Sequence, residues 1–119
     1  MEQDRLKIFL QRLHQFFEER DWKQFHSPKN IVMGVASETG ELVQIFRFLT
    51  EAESSQLDPK TAQLVKDEIA DVFIFLSYLA DILGMDVIEA AHAKLDKNGK
   101  KYPAELCRGR KEKSPTTAE

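Results

Sequence analysis

KDEIADVFIFL, residues 66–76, decides the fold. Val72 to Leu76 run without a polar residue, and with Val65, Ile69 and Leu79 they point in nearly every direction around a helix. A helix that is apolar all round is expected to be buried. Yet the segment carries Glu68 and Asp71, three residues apart and therefore on one helical face. Charged groups are rarely buried unless something pairs with them. Two anions side by side also repel, so one of them tends to take up a proton. A second stretch, VASETGELVQIF at residues 35–46, repeats the pattern with Glu38 and Glu41.

The helix boundaries around these two stretches are written in capping residues. Ser27-Pro28 and Asp58-Pro59 each place a side-chain acceptor before a proline at the first helical position, where a missing N–H costs nothing. They predict long helices from about Pro28 to Thr50 and from Asp58 to Leu83, the second ended by Gly84. Apolar residues at Leu6, Phe9, Leu10, Leu13, Phe16 and Phe17 predict an earlier amphipathic helix that stops near Arg20. Asp86 predicts a shorter fourth helix through about Lys97, closed by Asn98-Gly99. DWKQFHSPKN and EAESSQL are read as connectors, and no stretch shows strand alternation. The expected fold is all-α: a four-helix bundle core around two long central helices.

At 119 residues the chain is read as one domain over residues 1–106 with a polar, loose tail over 107–119. The composition, 42% hydrophobic and 31% charged, is that of a soluble globular protein, and a net charge of -3 leaves no polybasic footprint for a nucleic-acid polymer. The single cysteine, Cys107, forms no internal disulfide and is compatible with a reducing compartment. MEQDRLKIFL does not read as a signal peptide, and the longest uncharged run, Val72 to Ala80, is too short to cross a bilayer. No membrane partner and a cytoplasmic location are expected.

If the two long helices lie side by side, Glu38 and Glu41 can face Glu68 and Asp71 across them. Gly34, Ala36, Ser37 and Gly40 are small enough to let another backbone come close. Oxygen-only ligands favour magnesium, with manganese as a substitute, over zinc. A carboxylate-bridged di-iron bundle is disfavoured, because it uses Glu-x-x-His pairs. Here the third positions are Glu41 and Asp71, and His14, His26 and His92 are scattered.

These two acidic pairs, with ERDWKQFHSPKN, SETGELVQIF, DEIADVFIFL and KLDKNGKKYPAEL in that order, resemble the MazG-like all-α nucleotide pyrophosphohydrolases, and within them the dCTP pyrophosphatase branch, over about Leu6 to Leu106. The resemblance implies hydrolysis of a nucleoside triphosphate between the α and β phosphates. It implies Glu38, Glu41, Glu68 and Asp71 as catalytic magnesium ligands, with Glu38 the partner of the attacking water. It further implies Trp22, His26, Phe48, Lys94, Asn98, Lys101 and Tyr102 as substrate contacts, Trp22 offering an aromatic face to a base. Phe48 and Phe75 stand where the branch carries tryptophan and tyrosine, so one indole and one hydroxyl are lost from the pocket. A homotetramer built from dimers is implied as well. It agrees with an aromatic content at Phe46, Phe48, Phe73 and Phe75 that one small core does not readily absorb. Two other readings are an enzyme of the same fold acting on another or damaged nucleotide, and a non-catalytic helical assembly module.

Overall fold

The structure is a computed structural model that describes residues 2–110. It is all-helical, with no strand among the described residues. The expected tail lies outside the described residues from 111 onward. The helices are α1 (Glu2–Glu19), α2 (Pro28–Phe46), α3 (Glu51–Ser54), α4 (Pro59–Ile82), α5 (Val87–Lys101) and α6 (Ala104–Cys107), with a 3-10 turn at Lys23–Phe25. They form two compact units, one ending at Gly84 and one beginning at Met85.

The caps form as their residue types dictate. Ser27 Oγ accepts from the Asn30 N–H at 3.2 Å, Asp58 Oδ1 from the Thr61 N–H at 2.8 Å, and Asp86 Oδ1 from the Glu89 N–H at 3.0 Å. Gly84 leaves α4 at φ +73°, a conformation that suits a residue without Cβ.

Two expected boundaries move. The helix expected to reach Thr50 stops at Phe46, because Thr50 caps a helix of its own. Its hydroxyl accepts from the Glu53 N–H at 3.1 Å while the Glu53 carboxylate accepts from the Thr50 N–H at 2.9 Å. Asn98-Gly99 does not close α5, which runs on to Lys101. Lys100 and Lys101 suit the negative end of the helix dipole, and Pro103 restricts Tyr102 before it and stops the helix there.

In the first unit α2 packs along α4, and α1 packs on α4. The buried centre is Leu13 and Phe17 from α1, Ile31 from α2 and Tyr78 from α4, with Ile31 and Tyr78 only 1% and 2% exposed. A polar seam ties α1 to α4 beside this core: His14 Nε2 lies 2.6 Å from Asp81 Oδ2. The expectation that α4 is buried all round is not met within a single chain. Ile69, Phe73 and Leu76 are exposed, because α1 and α2 cover only part of its circumference.

The small residues of α2 divide in their role. A Cβ on Gly34 would lie 3.2 Å from the Phe75 ring, so the close approach of α2 and α4 depends on its absence. A Cβ on Gly40 would meet nothing within 4 Å. Gly40→Ala therefore gains helix propensity without a clash. It is expected to stabilise the protein by about 1 kcal/mol, raising the melting temperature by roughly 4 °C in a calorimetric scan.

Candidate metal centre

Glu38 and Glu41 lie one turn apart on α2, as Glu68 and Asp71 do on α4, and the packing of these helices brings the pairs together. One carboxylate oxygen from each of Glu38, Glu41 and Glu68 falls within 4.8 Å of the others. Asp71 joins through Glu38, whose proton affinity its charge and a hydrogen bond both raise. Glu38 and Glu68 are half-buried, and Glu68 Oε2 is fully buried with no hydrogen-bond partner. Lys66, the cation that a solvated acidic face would use, makes no hydrogen bond or ion pair among the described residues.

An acidic cluster of this kind is costly as it stands. Burial, then a hydrogen bond to Glu41 and the charges of Glu41 and Asp71, push the Glu38 carboxyl from 4.5 up to about 7. Burial and then the charge of Glu41 raise Glu68 as well. Contacts between carboxyl groups are hydrogen bonds only when one of them carries a proton. A hard divalent cation relieves the same repulsion without protonation and takes up the orphaned Glu68 oxygen. The donor set therefore fits such an ion.

Stability should follow this titration. A carboxyl raised in the fold favours the folded state when protonated. Its contribution is complete below its unfolded value of 4.5 and is lost as pH rises through about 7. In the presence of a chelator the protein is expected to melt at a higher temperature at pH 5.5 than at pH 8, and saturating magnesium should narrow that gap. Thermal scans at the two pH values, with and without the ion, measure it.

Beside Asp71 opens a cleft of about 400 Å³ lined by Phe9, Arg12, Leu13, Phe16, Phe17, Asp71, Ile74 and Phe75. The residues expected to contact substrate in this unit lie elsewhere than on its walls. Trp22 sets its ring edge-on to Phe16, with centroids 5.9 Å apart. His26 Nδ1 is hydrogen-bonded to the Tyr78 hydroxyl at 3.2 Å, and burial, then the charge of Lys23, lowers its proton affinity. Phe48 is 82% exposed beneath the Arg47 guanidinium, which stands 4.5 Å from its ring centroid. Lys94, Asn98, Lys101 and Tyr102 belong to the second unit, where Lys94, Asn98 and Lys101 follow one α5 face at helical spacing. Lys101 Nζ lies 5.7 Å from the Tyr102 ring centroid.

Sequence reasoning passed over the α1 wall of this cleft. In the sequence Phe9, Leu13 and Phe16 mark only the apolar face of an amphipathic helix, and the available signal is Arg12, a charge set among them on the same face of α1.

Comparison with known proteins bears on the fold and the family of the chain. Rat (Rattus norvegicus) dCTP pyrophosphatase 1 is 38% identical over 103 residues, covering 84% of this chain and 61% of that protein. The human (Homo sapiens) protein of the same name is 37% identical over 102 residues, covering 83% and 60%. The chain thus spans about three fifths of the length of these curated relatives. The crystal structure of a pyrophosphatase from Archaeoglobus fulgidus superposes with a TM-score of 0.78 at 34% identity, covering 83% of this chain and 93% of that one. The profile of the MazG-like family matches residues 36–114, which include all four acids and more than half of the sequence. The chain belongs to the MazG-like family.

Proposed function

We propose that the protein is a magnesium-dependent nucleotide pyrophosphohydrolase that cleaves a nucleoside triphosphate, dCTP or a modified dCTP, between the α and β phosphates, giving the monophosphate and pyrophosphate. The observation that carries this reading is the convergence of Glu38, Glu41 and Glu68, with an unsatisfied buried oxygen on Glu68, beside an aromatic cleft that shares Asp71. The names of the relatives support the reaction and the choice of dCTP.

In this reading Glu38, Glu41, Glu68 and Asp71 hold the ion. Bound magnesium supplies a Lewis acid that neutralises phosphate charge and makes water a better nucleophile. The four acids fix the phosphate end of the substrate, and Glu38 orients the attacking water. Trp22, His26 and Phe48 are the substrate contacts of the first unit in this reading, and Lys94, Asn98, Lys101 and Tyr102 those of the second, each set described within its own unit. The domain is residues 1–106, followed by a polar tail, and the enzyme works in the cytoplasm, trimming the nucleotide pool. A second copy covers the exposed Ile69, Phe73 and Leu76 of α4, and two such dimers form the tetramer. Among the described residues no helix is long and apolar enough to cross a membrane.

The losses of an indole at Phe48 and a hydroxyl at Phe75 favour one second reading, the same reaction on another or damaged nucleotide. A product assay tests both. The protein is incubated with magnesium, each common nucleoside triphosphate and 5-methyl-dCTP, and pyrophosphate is separated from phosphate. Pyrophosphate from dCTP supports the first reading, and pyrophosphate from a different nucleotide the second. No turnover with magnesium or manganese would leave a helical assembly module. Light scattering reads the assembly, and an active monomer at micromolar concentration rules out the tetramer.

A further inference from the structure

Arg12 is a cation with no visible structural employment. It stands on the wall of the cleft among Phe9, Leu13 and Phe16. It makes no hydrogen bond, ion pair or ring stack among the described residues. Its neighbour Arg20 differs in each respect, lying 3.7 Å over the Phe16 ring, donating to the Phe16 carbonyl at 3.0 Å and facing Glu19. The cleft is the size of a small-molecule site, and its walls are aromatic with few polar groups, an arrangement in which each polar group fixes orientation. Asp71 belongs both to this wall and to the carboxylate cluster. A substrate anchored by its phosphates at the cluster has this cleft beside it, with the phenylalanines and Arg12 on its wall.

We propose that Arg12 determines which base is accepted, its guanidinium reading two adjacent hydrogen-bond acceptors on the ring held in the cleft. The inference rests on the nucleotide reading given above. Guanidinium is a planar fork of donors with no acceptor. Two neighbouring acceptors match it: N3 and O2 of cytosine, or O6 and N7 of guanine. Adenine sets an amino donor beside each of its ring acceptors on those edges, and the two carbonyls of thymine flank an N–H. The substrate class is thus cytosine and guanine nucleotides, with thymine and adenine nucleotides disfavoured.

The test is steady-state kinetics of the full chain with magnesium and dCTP, dGTP, dTTP and dATP, for the wild type, Arg12→Met and Arg12→Lys. Arg12 is exposed, so both variants are expected to fold. The wild type should favour dCTP and dGTP in kcat/KM by about tenfold or more, a factor typical of a bidentate contact. Arg12→Met should erase that ratio, with the loss seen in KM for the favoured pair, and Arg12→Lys, which keeps the charge but not the fork, should not restore it. A ratio unchanged in Arg12→Met overturns the proposal. An equal loss for all four nucleotides overturns it too, in favour of a phosphate contact, and so does restoration by lysine. Absence of turnover in the wild type would count against the enzyme reading alone. Equilibrium titration with dCMP and dTMP then decides: a dCMP preference that vanishes in Arg12→Met upholds the proposal, and its absence in the wild type ends it.

Discussion

Glu68→Gln is expected to lower kcat/KM by roughly 10³-fold, the scale on which enzymes lose rate when one electrostatic partner of a transition state is removed. The substitution keeps shape and burial and removes one charge from the cluster formed with Glu38 and Glu41. Two results should accompany the lost rate. Magnesium should no longer raise the melting temperature, because a ligand stabilises only the state it binds. The metal-free variant should melt no lower than the wild type, and higher at pH 8, because one member of a repelling set is gone. A variant that loses activity but keeps the magnesium-dependent rise would place Glu68 outside the ion's ligands. Calorimetric scans at fixed protein concentration, run beside the kinetics, separate the two cases.

Phe17→Ala is expected to cost about 3–5 kcal/mol, the range for removing a buried aromatic side chain from a packed core. Phe17 is 6% exposed, and its ring centroid lies 4.4 Å from that of His26 and 4.8 Å from that of Tyr78. No neighbour is free to collapse into the space, because Tyr78 is bonded to His26 and Trp22 is held in the turn by its N–H to the Phe17 carbonyl at 3.0 Å. For a chain of this length the melting temperature should fall by roughly 12–20 °C. Phe48→Ala is the control. That ring is largely in water, so stability should change by no more than about 0.5 kcal/mol. Similar losses in both variants would mean that the core lies elsewhere.

Local rules carried the reading of the fold because local chemistry decides most of it. Ser27-Pro28, Asp58-Pro59, Asp86 and Gly84 act within one turn of the chain, and their effect is visible without tertiary structure. Thr50 and Glu53 form an equally local signal, overlooked because the segment after them is polar. The acidic pairs were legible from their spacing of three, and their meeting followed from placing two long helices side by side. The cleft was not legible. Its walls come from α1 and α4, more than fifty residues apart, and a phenylalanine on an amphipathic face gives no sign in the sequence of whether it meets a neighbour or a cavity. The exposure of Ile69, Phe73 and Leu76 was hidden for a related reason, since periodicity reports that a face is apolar and not what covers it.

Gly34 and Phe75 are locked together in a way that constrains how this sequence can drift. With the ring 3.2 Å from where a Cβ would stand, alanine at position 34 pushes against an aromatic side chain that also walls the cleft. The order of change then matters: a smaller residue at 75 opens the space, after which 34 can be filled, while the reverse order passes through a crowded intermediate. A glycine one helical turn before Glu38 thereby shapes a wall of the cleft, and its history should be read together with that of the ring it admits.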